Sequence, residues 1–432
     1  MADYLERFRE LGKVVTTDNY ADYYKEIVDL TNYDEAKVPP YTLPSALDVV
    51  PGKKVKTAMD WMNWGRPAVF RMLQEQMYGK VVPRPDHLSF ELLSCKYDAL
   101  DGTAIRKEIR VHASMRNGRS FKFDILFYAP LSALEKPVPA FVGLNFKGNE
   151  ATTTENDVRM TSPKSNGRYR ETENGVDESQ RGVQVERWCF KELIARGFAS
   201  ATVCYEELFP DRRDGWENSA LTLFVDGLKG FKGAHDEYTS IGVWSWGLSR
   251  MRDYLETEPL VDATRVGVHG HSRLGKTALW AGACDQRFRA VFSNCSGCGG
   301  ASLARRKFGE TYLFIDNVMP HWFTKVLHQY NGFEETMPFD QHWLIALVAP
   351  RKVSVASATE VLWADPKGEF LAAKAAEEVY GLFGSNGLPP EEPPTPGVYL
   401  SGDINYHCRI GKHNQLLFDW EHYMQILEKT SK

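Results

Sequence analysis

Apolar residues recur at helical spacing near the start of the chain, at Tyr4, Leu5, Phe8 and Leu11, and the spacing predicts an amphipathic helix over about residues 1–35. The proline-rich run Val38–Pro44 must be extended. A second helical pattern, Ala58–Gly79, stops at a glycine. Strand-like runs follow at Leu88–Ala99, Ile105–Ser114 and Ser120–Ala129, and Asn117-Gly118 between the last two predicts a hairpin. From Val138 the period changes. Val138–Phe146 is continuously apolar, as a strand covered on both faces would be. Residues 150–182 are polar and read as a long surface insertion. Beyond them, predicted helices (Arg187–Arg196, Ser240–Leu255, Gly368–Phe383, Asp419–Lys429) alternate with predicted strands (Phe198–Tyr205, a run at Val266, Arg289–Asn294, Lys352–Ala358, Val398–Tyr406). A proline-rich linker lies at residues 389–394. This alternation predicts an α/β fold with a doubly wound, largely parallel sheet.

The stretch Arg265–Trp280 stands out within that pattern. A β-branched run meets a glycine, a polar tight turn follows, and good helix formers come next. Ser272 sits at the turn, between Gly270 and Gly275, where a strained backbone can lift a hydroxyl clear of the sheet. The helix N-terminus behind it favours developing negative charge. The same letters match a phosphate loop in full, Gly270-x-x-x-x-Gly275-Lys276-Thr277, whereas the esterase pattern G-x-S-x-G is matched imperfectly. Taken alone, the stretch fits the phosphate loop of an NTPase better.

The rest of the chain argues the other way. A phosphate-loop enzyme needs an acid closing a hydrophobic strand to hold Mg²⁺. The apolar strands after Thr277 end in Ser293-Asn294-Cys295 and Ser357-Ala358-Thr359-Glu360. A hydrolase predicts serine, then acid, then a late histidine in a loop after the last strand. His413 lies in such a loop, and Glu360 and Asp365 follow the preceding strand. His407 reads as a packed strand residue, and His269 and His271 as supports flanking the turn.

Composition narrows the class. Of 432 residues, 43% are apolar and 25% charged, as in an ordinary globular protein. The net charge of −5 and the lack of a basic run make nucleic acid an unexpected partner. No apolar run is long enough to span a membrane. The seven cysteines are oddly spaced, and Cys295-Ser296-Gly297-Cys298 has no second pair, so packed free thiols are expected rather than disulfides or zinc.

Gly270–Lys276 resembles the glucuronoyl esterases of carbohydrate esterase family 15. The resemblance extends to Ser296–Ala301, Arg305–Glu310, Asp340-Gln341-His342, Leu362–Pro366 and Gly411-Lys412-His413. It runs from about Asn32 to the C-terminus and overrides the phosphate-loop match. It implies an α/β-hydrolase fold, a three-layer sandwich with a mostly parallel central sheet. Residues 1–31 are then a helical extension and 32–432 a single catalytic domain. It also implies cleavage of esters of (4-O-methyl-)glucuronic acid, such as lignin–xylan cross-links, by a monomer that is secreted or periplasmic and needs no metal or organic cofactor. The substrate is expected to be a small-molecule or oligosaccharide glucuronate ester.

Carried across residue by residue, the resemblance makes Ser272 the nucleophile, His413 the general base and Arg273 the oxyanion-holding arginine. Lys276, Glu310 and Trp363 would bind the sugar, and the Asn145-Phe146-Lys147 loop is expected to line the pocket as well. The acid is where the chain departs. Family members carry a carboxylate just before Ser-Gly-Cys-Gly or in the loop after the next strand. Here those positions hold Cys295 and Val361. Glu360 is the first replacement and Asp365 the second. A Ser–His dyad, with weak turnover and binding of uronate sugars or action on another ester, is the alternative.

Overall fold

The computed structural model describes residues 7, 10–11, 20–161 and 178–430. Its centre is a ten-stranded sheet: β1 (His87–Asp98), β2 (Ala104–Ser114), β3 (Ser120–Pro130), β4 (Val138–Asn145), β5 (Ala199–Cys204), β6 (Val261–His271), β7 (Ala290–Asn294), β8 (Lys352–Ala358), β9 (Tyr399–Leu400) and β10 (Ile404–Arg409). The spatial order is β1-β2-β3-β5-β4-β6-β7-β8-β10-β9. β5, β4, β6, β7, β8 and β10 are mutually parallel, while β1–β3 and β9 run antiparallel at the two edges. This is the doubly wound sheet that the alternating pattern predicts.

Both faces of the parallel strands are covered, which is why their sequences are apolar without alternation. On one face, helices Ser240–Thr257 and Arg273–Cys284 pack into the larger core, with Trp244, Trp280, Val268 and Val142 fully buried. On the other, Leu417–Glu428 and Phe190–Ala195 close a second core around Phe141, Phe292, Trp420 and Tyr423. No described helix is long and apolar enough to cross a membrane.

Most element expectations match within a few residues, and three do not. The predicted strand Val398–Tyr406 is split, because the chain bends at Gly402-Asp403 and only Ile404–Arg409 joins the parallel ladder. The supposed surface insertion is partly interior: Glu150, Ala151 and Thr152 are buried, Glu150 Oε2 accepting from the Thr161 N–H (2.9 Å). Its residues 162–177 lie outside the described residues. Near the N-terminus, the described helix is Tyr20–Leu30, and Tyr4, Leu5 and Phe8 lie outside the described residues. Leu11 is buried against Tyr23, Leu30 and Phe314. The seven cysteines are free thiols, as expected.

Candidate active site

Ser272 occupies the junction between β6 and the helix Arg273–Cys284 with φ 58° and ψ −129°. A positive φ is costly for a residue with a Cβ and persists only where the surroundings enforce it. Here its N–H donates to the Asn294 carbonyl on β7 (2.8 Å), and its own carbonyl accepts from Gly275 N (2.8 Å). The two flanking glycines permit the sharp return of the helix. A Cβ on Gly270 would lie 1.9 Å from the Leu274 carbonyl oxygen, and one on Gly275 would press on Ser296 and on the carbonyls of Asn294 and Gly270. The phosphate-loop spelling therefore reflects helix–strand packing. Its other two residues are committed elsewhere. Lys276 Nζ donates to the carbonyls of Ser296 (2.7 Å) and Cys298 (2.5 Å) and pairs with Glu310 (3.0 Å), and Thr277 Oγ1 bonds the Arg273 carbonyl.

Ser272 opens into a cavity of about 600 Å³ that Arg273, Lys276, Glu310, Trp363 and His413 also line. Six of the predicted site residues thus meet at one mouth. Phe146 and Lys147 line it too, as expected of their loop; Asn145 is buried behind them, bonded to Asn149 and Thr202. Lys276 differs from expectation in one respect. Its three ammonium protons are already engaged, so it orients Glu310 and the Ser296–Cys298 segment instead of offering donors to sugar hydroxyls.

Arg273 is held from behind. The buried Asp211 accepts from its guanidinium, from His321 Nε2 (2.8 Å), Trp322 Nε1 (2.7 Å) and the Tyr205 hydroxyl (3.0 Å). The guanidinium also lies 4.8 Å from the Trp322 ring centroid. These donors hold the Asp211 carboxyl well below its ordinary range against the opposing effect of burial. Sequence reading missed Asp211, His321 and Trp322. They sit in irregular segments with no motif, and only long-range packing brings them together.

His413 is carried by the loop after β10, and that loop is clamped. Arg409 pairs with Asp419 through Nε (3.1 Å), while its other nitrogens donate to the carbonyls of Ile410, Lys412 and Asn414. Gly411 N–H donates to Thr359 Oγ1, and Glu360 N–H to the Gly411 carbonyl. Asn414 accepts from Arg187 Nε (2.8 Å). The imidazole is exposed to the cavity, and its ring centroid lies 4.3 Å from that of His271. Desolvation at the cavity wall, with Arg187, Lys276, Arg273 and Arg409 facing it, pushes its pKa down to about 4.

Neither predicted acid reaches this histidine. The Glu360 side chain is exposed, does not line the cavity, and makes no ion pair or hydrogen bond with His413; its contribution is the backbone bond to Gly411. Asp365 is a helix cap, accepting from Gly368 N–H (2.9 Å), and its carboxylate is spent on Arg306 (2.8 Å) and Ser302. Cys295, at the first family acid position, does lie beside His413, but as a buried thiol whose pKa burial drives upward. His271 is also buried, with Nδ1 bonded to Asn294 Oδ1 (2.6 Å). His269 is walled in by Trp188 and Trp420, a supporting position as expected. His407 is packed on β10 and bonded to Asp419.

One potential ligand atom each from His271, Cys295 and His413 lies within 4.8 Å of the others. The four cationic side chains around His413 oppose a divalent ion there, and burial holds the thiol protonated. The same cations suit an oxyanion. The arrangement is therefore equipped for nucleophilic attack on an acyl carbon next to a fixed guanidinium, at the N-terminus of a helix.

The family model for fungal glucuronyl esterases matches residues 231–384, which include the Ser272 turn. The carbohydrate esterase MZ0003, from an unknown prokaryotic organism, is 41% identical over 406 residues, covering 92% of this chain and 91% of the relative. Among solved structures, a promiscuous CE15 esterase from a marine bacterial metagenome superposes with a TM-score of 0.81 at 40% identity, covering 92% of this chain and 99% of that one. A glucuronoyl esterase from Solibacter usitatus gives a TM-score of 0.84 at 37% identity, covering 92% and 100%. The α/β-hydrolase fold is common to all of these structures and to the sheet described above.

Proposed function

The chain belongs to carbohydrate esterase family 15, a family of carboxylic ester hydrolases, and on that footing we propose that it cleaves esters of glucuronic acid by a serine mechanism. The observation that carries the reading is the opening of strained Ser272, tethered Arg273 and clamped His413 onto one cavity. Ser272 Oγ attacks the ester carbonyl while His413 takes its proton. The oxyanion forms against the Arg273 guanidinium and the first N–H groups of the helix. His413 returns the proton to the departing alcohol, then activates water, which releases the free uronate. Glu310, oriented by Lys276, and Trp363 hold the sugar ring. Membership of the family supports a secreted or periplasmic location.

Hydrolysis of a benzyl glucuronate ester tests this directly. Wild type is expected to turn over, Ser272→Ala to be inert yet folded, and an esterase-reactive phosphonate to label Ser272. Turnover retained by Ser272→Ala would overturn the assignment. A second reading is favoured because, among the described residues, no carboxylate pairs with His413: a weakened member that binds uronate sugars and hydrolyses them poorly. Glucuronate binding by the Ser272→Ala protein, together with negligible wild-type turnover, would select it.

A further inference from the structure

The cavity has two unlike walls. Arg187, Arg273 and Phe146 stand on one, with both guanidiniums close to the Phe146 ring. The other is a connected backbone network: Glu310 N–H donates to the Trp363 carbonyl (2.8 Å), and Gly309 N–H to the Asn32 carbonyl (2.8 Å). That second bond brings the N-terminal segment into the site. Tyr33 lines the cavity, remains 41% exposed, and meets Phe308 edge-on at 6.2 Å. Phe314 stands against Trp363 with centroids 4.7 Å apart at 82°, and its far side packs with Leu11, Tyr23 and Leu30 of the N-terminal segment. The segment is fixed at its other end by Glu35, which pairs with the buried Arg306.

We propose that Tyr33 is the outer platform of a glycan subsite, which stacks the neutral pyranose to which the glucuronate is linked. This rests on the esterase reading above, in which Glu310 and Trp363 hold the uronate ring. A sugar whose carboxyl carbon faces Ser272 and whose ring lies on Glu310 and Trp363 directs its glycosidic bond away from the scissile ester. The next surface on that wall is aromatic, and pyranose C–H faces bury well against aromatic rings. The alcohol of the ester leaves on the other side of the carbonyl, so Tyr33 discriminates by glycan and not by leaving group.

The test uses three substrates: methyl glucuronate, benzyl glucuronate, and the methyl ester of a glucuronoxylo-oligosaccharide. For Tyr33→Ala, the kcat/KM ratio of oligosaccharide ester to methyl glucuronate is expected to fall about tenfold, carried by KM, which is a loss of ~1.4 kcal/mol of contact. Tyr33→Phe keeps the ring and should keep the ratio. An unchanged ratio overturns the proposal. So does a change confined to the benzyl-to-methyl ratio, which would place Tyr33 beside the alcohol. If wild type hydrolyses none of the three, the esterase reading fails, and calorimetry with the free acid of the oligosaccharide still decides. Weaker binding by Tyr33→Ala than by wild type and Tyr33→Phe upholds the platform, and equal binding removes it.

Discussion

Cys295 and Val361 stand at the ends of different strands, β7 and β8, yet they share one small apolar cluster with Ala358 and Ala364, and both are nearly fully buried (2% and 6% exposed). They are the two positions at which the family resemblance leads one to expect a carboxylate. Neither position offers a charged group to the cavity that His413 lines.

Restoring a carboxylate there should raise turnover. Cys295→Glu or Val361→Asp is expected to increase kcat by at least ~10-fold, a fraction of the ~10⁴ that a triad carboxylate can supply. Steady-state kinetics on benzyl glucuronate reads this directly. A folded variant with unchanged or lower kcat would mean that the imidazolium is already adequately supported.

The pH profile should carry the same signature. A general base works when neutral, and the folded-state pKa of His413 is depressed to about 4. Wild-type kcat/KM should therefore persist on the acid side and fall only as pH drops through about 4. Cys295→Glu adds a negative charge and should move that limb to higher pH. Arg187→Gln removes a facing cation and should move it the same way. An acid limb near 6.5 in the wild type would contradict the electrostatic description of this site.

Asp211 should act on the reaction through Arg273. Asp211→Asn is expected to lower kcat by about 10–100-fold with a smaller change in KM, since oxyanion donors are worth about 10²–10³ when removed outright. The double variant with Arg273→Ala should be no slower than Arg273→Ala alone, because the two residues form one unit. Additive losses would reduce Asp211 to a packing role, in which case the melting temperature would track the kinetics.

The carboxylates following β8 should separate cleanly. Glu360→Ala is expected to stay within about twofold of wild type, as for an exposed side chain outside the cavity. Asp365→Asn should lower the melting temperature, because buried Arg306 loses the more buried of its two carboxylate partners, while turnover per folded molecule survives. A ~10²-fold collapse in Glu360→Ala alone would make that residue the acid after all.

The sequence carries the elements that repeat or recur locally. Apolar runs locate the parallel strands, and the order of glycines and serine locates the strained turn. His413 is legible as a cavity residue because it lies in the loop after the last parallel strand, where the hydrolase pattern looks for a histidine. The tether and the clamp are not legible. Asp211 meets Arg273, and Arg409 grips the base loop, through contacts that leave no period or spacing in the chain. Lys276 was legible as a cavity residue, but its bonds were not, since the carbonyls it donates to belong to a distant loop. Tyr33 fell inside the predicted N-terminal helix, which in the structure ends at Leu30, so nothing in the sequence marks its ring as facing a cavity.

Tyr33 and His413 come from opposite ends of the sequence and border the same opening. During synthesis, therefore, the whole stretch from Tyr33 to His413 must emerge before the opening has both borders. A fragment ending before the β10 loop could build most of the sheet and the serine turn while lacking His413, the base of the proposed mechanism. Contacts that far apart in sequence close slowly, so esterase activity should be the last property to appear on refolding, after the fluorescence of the buried tryptophans has settled.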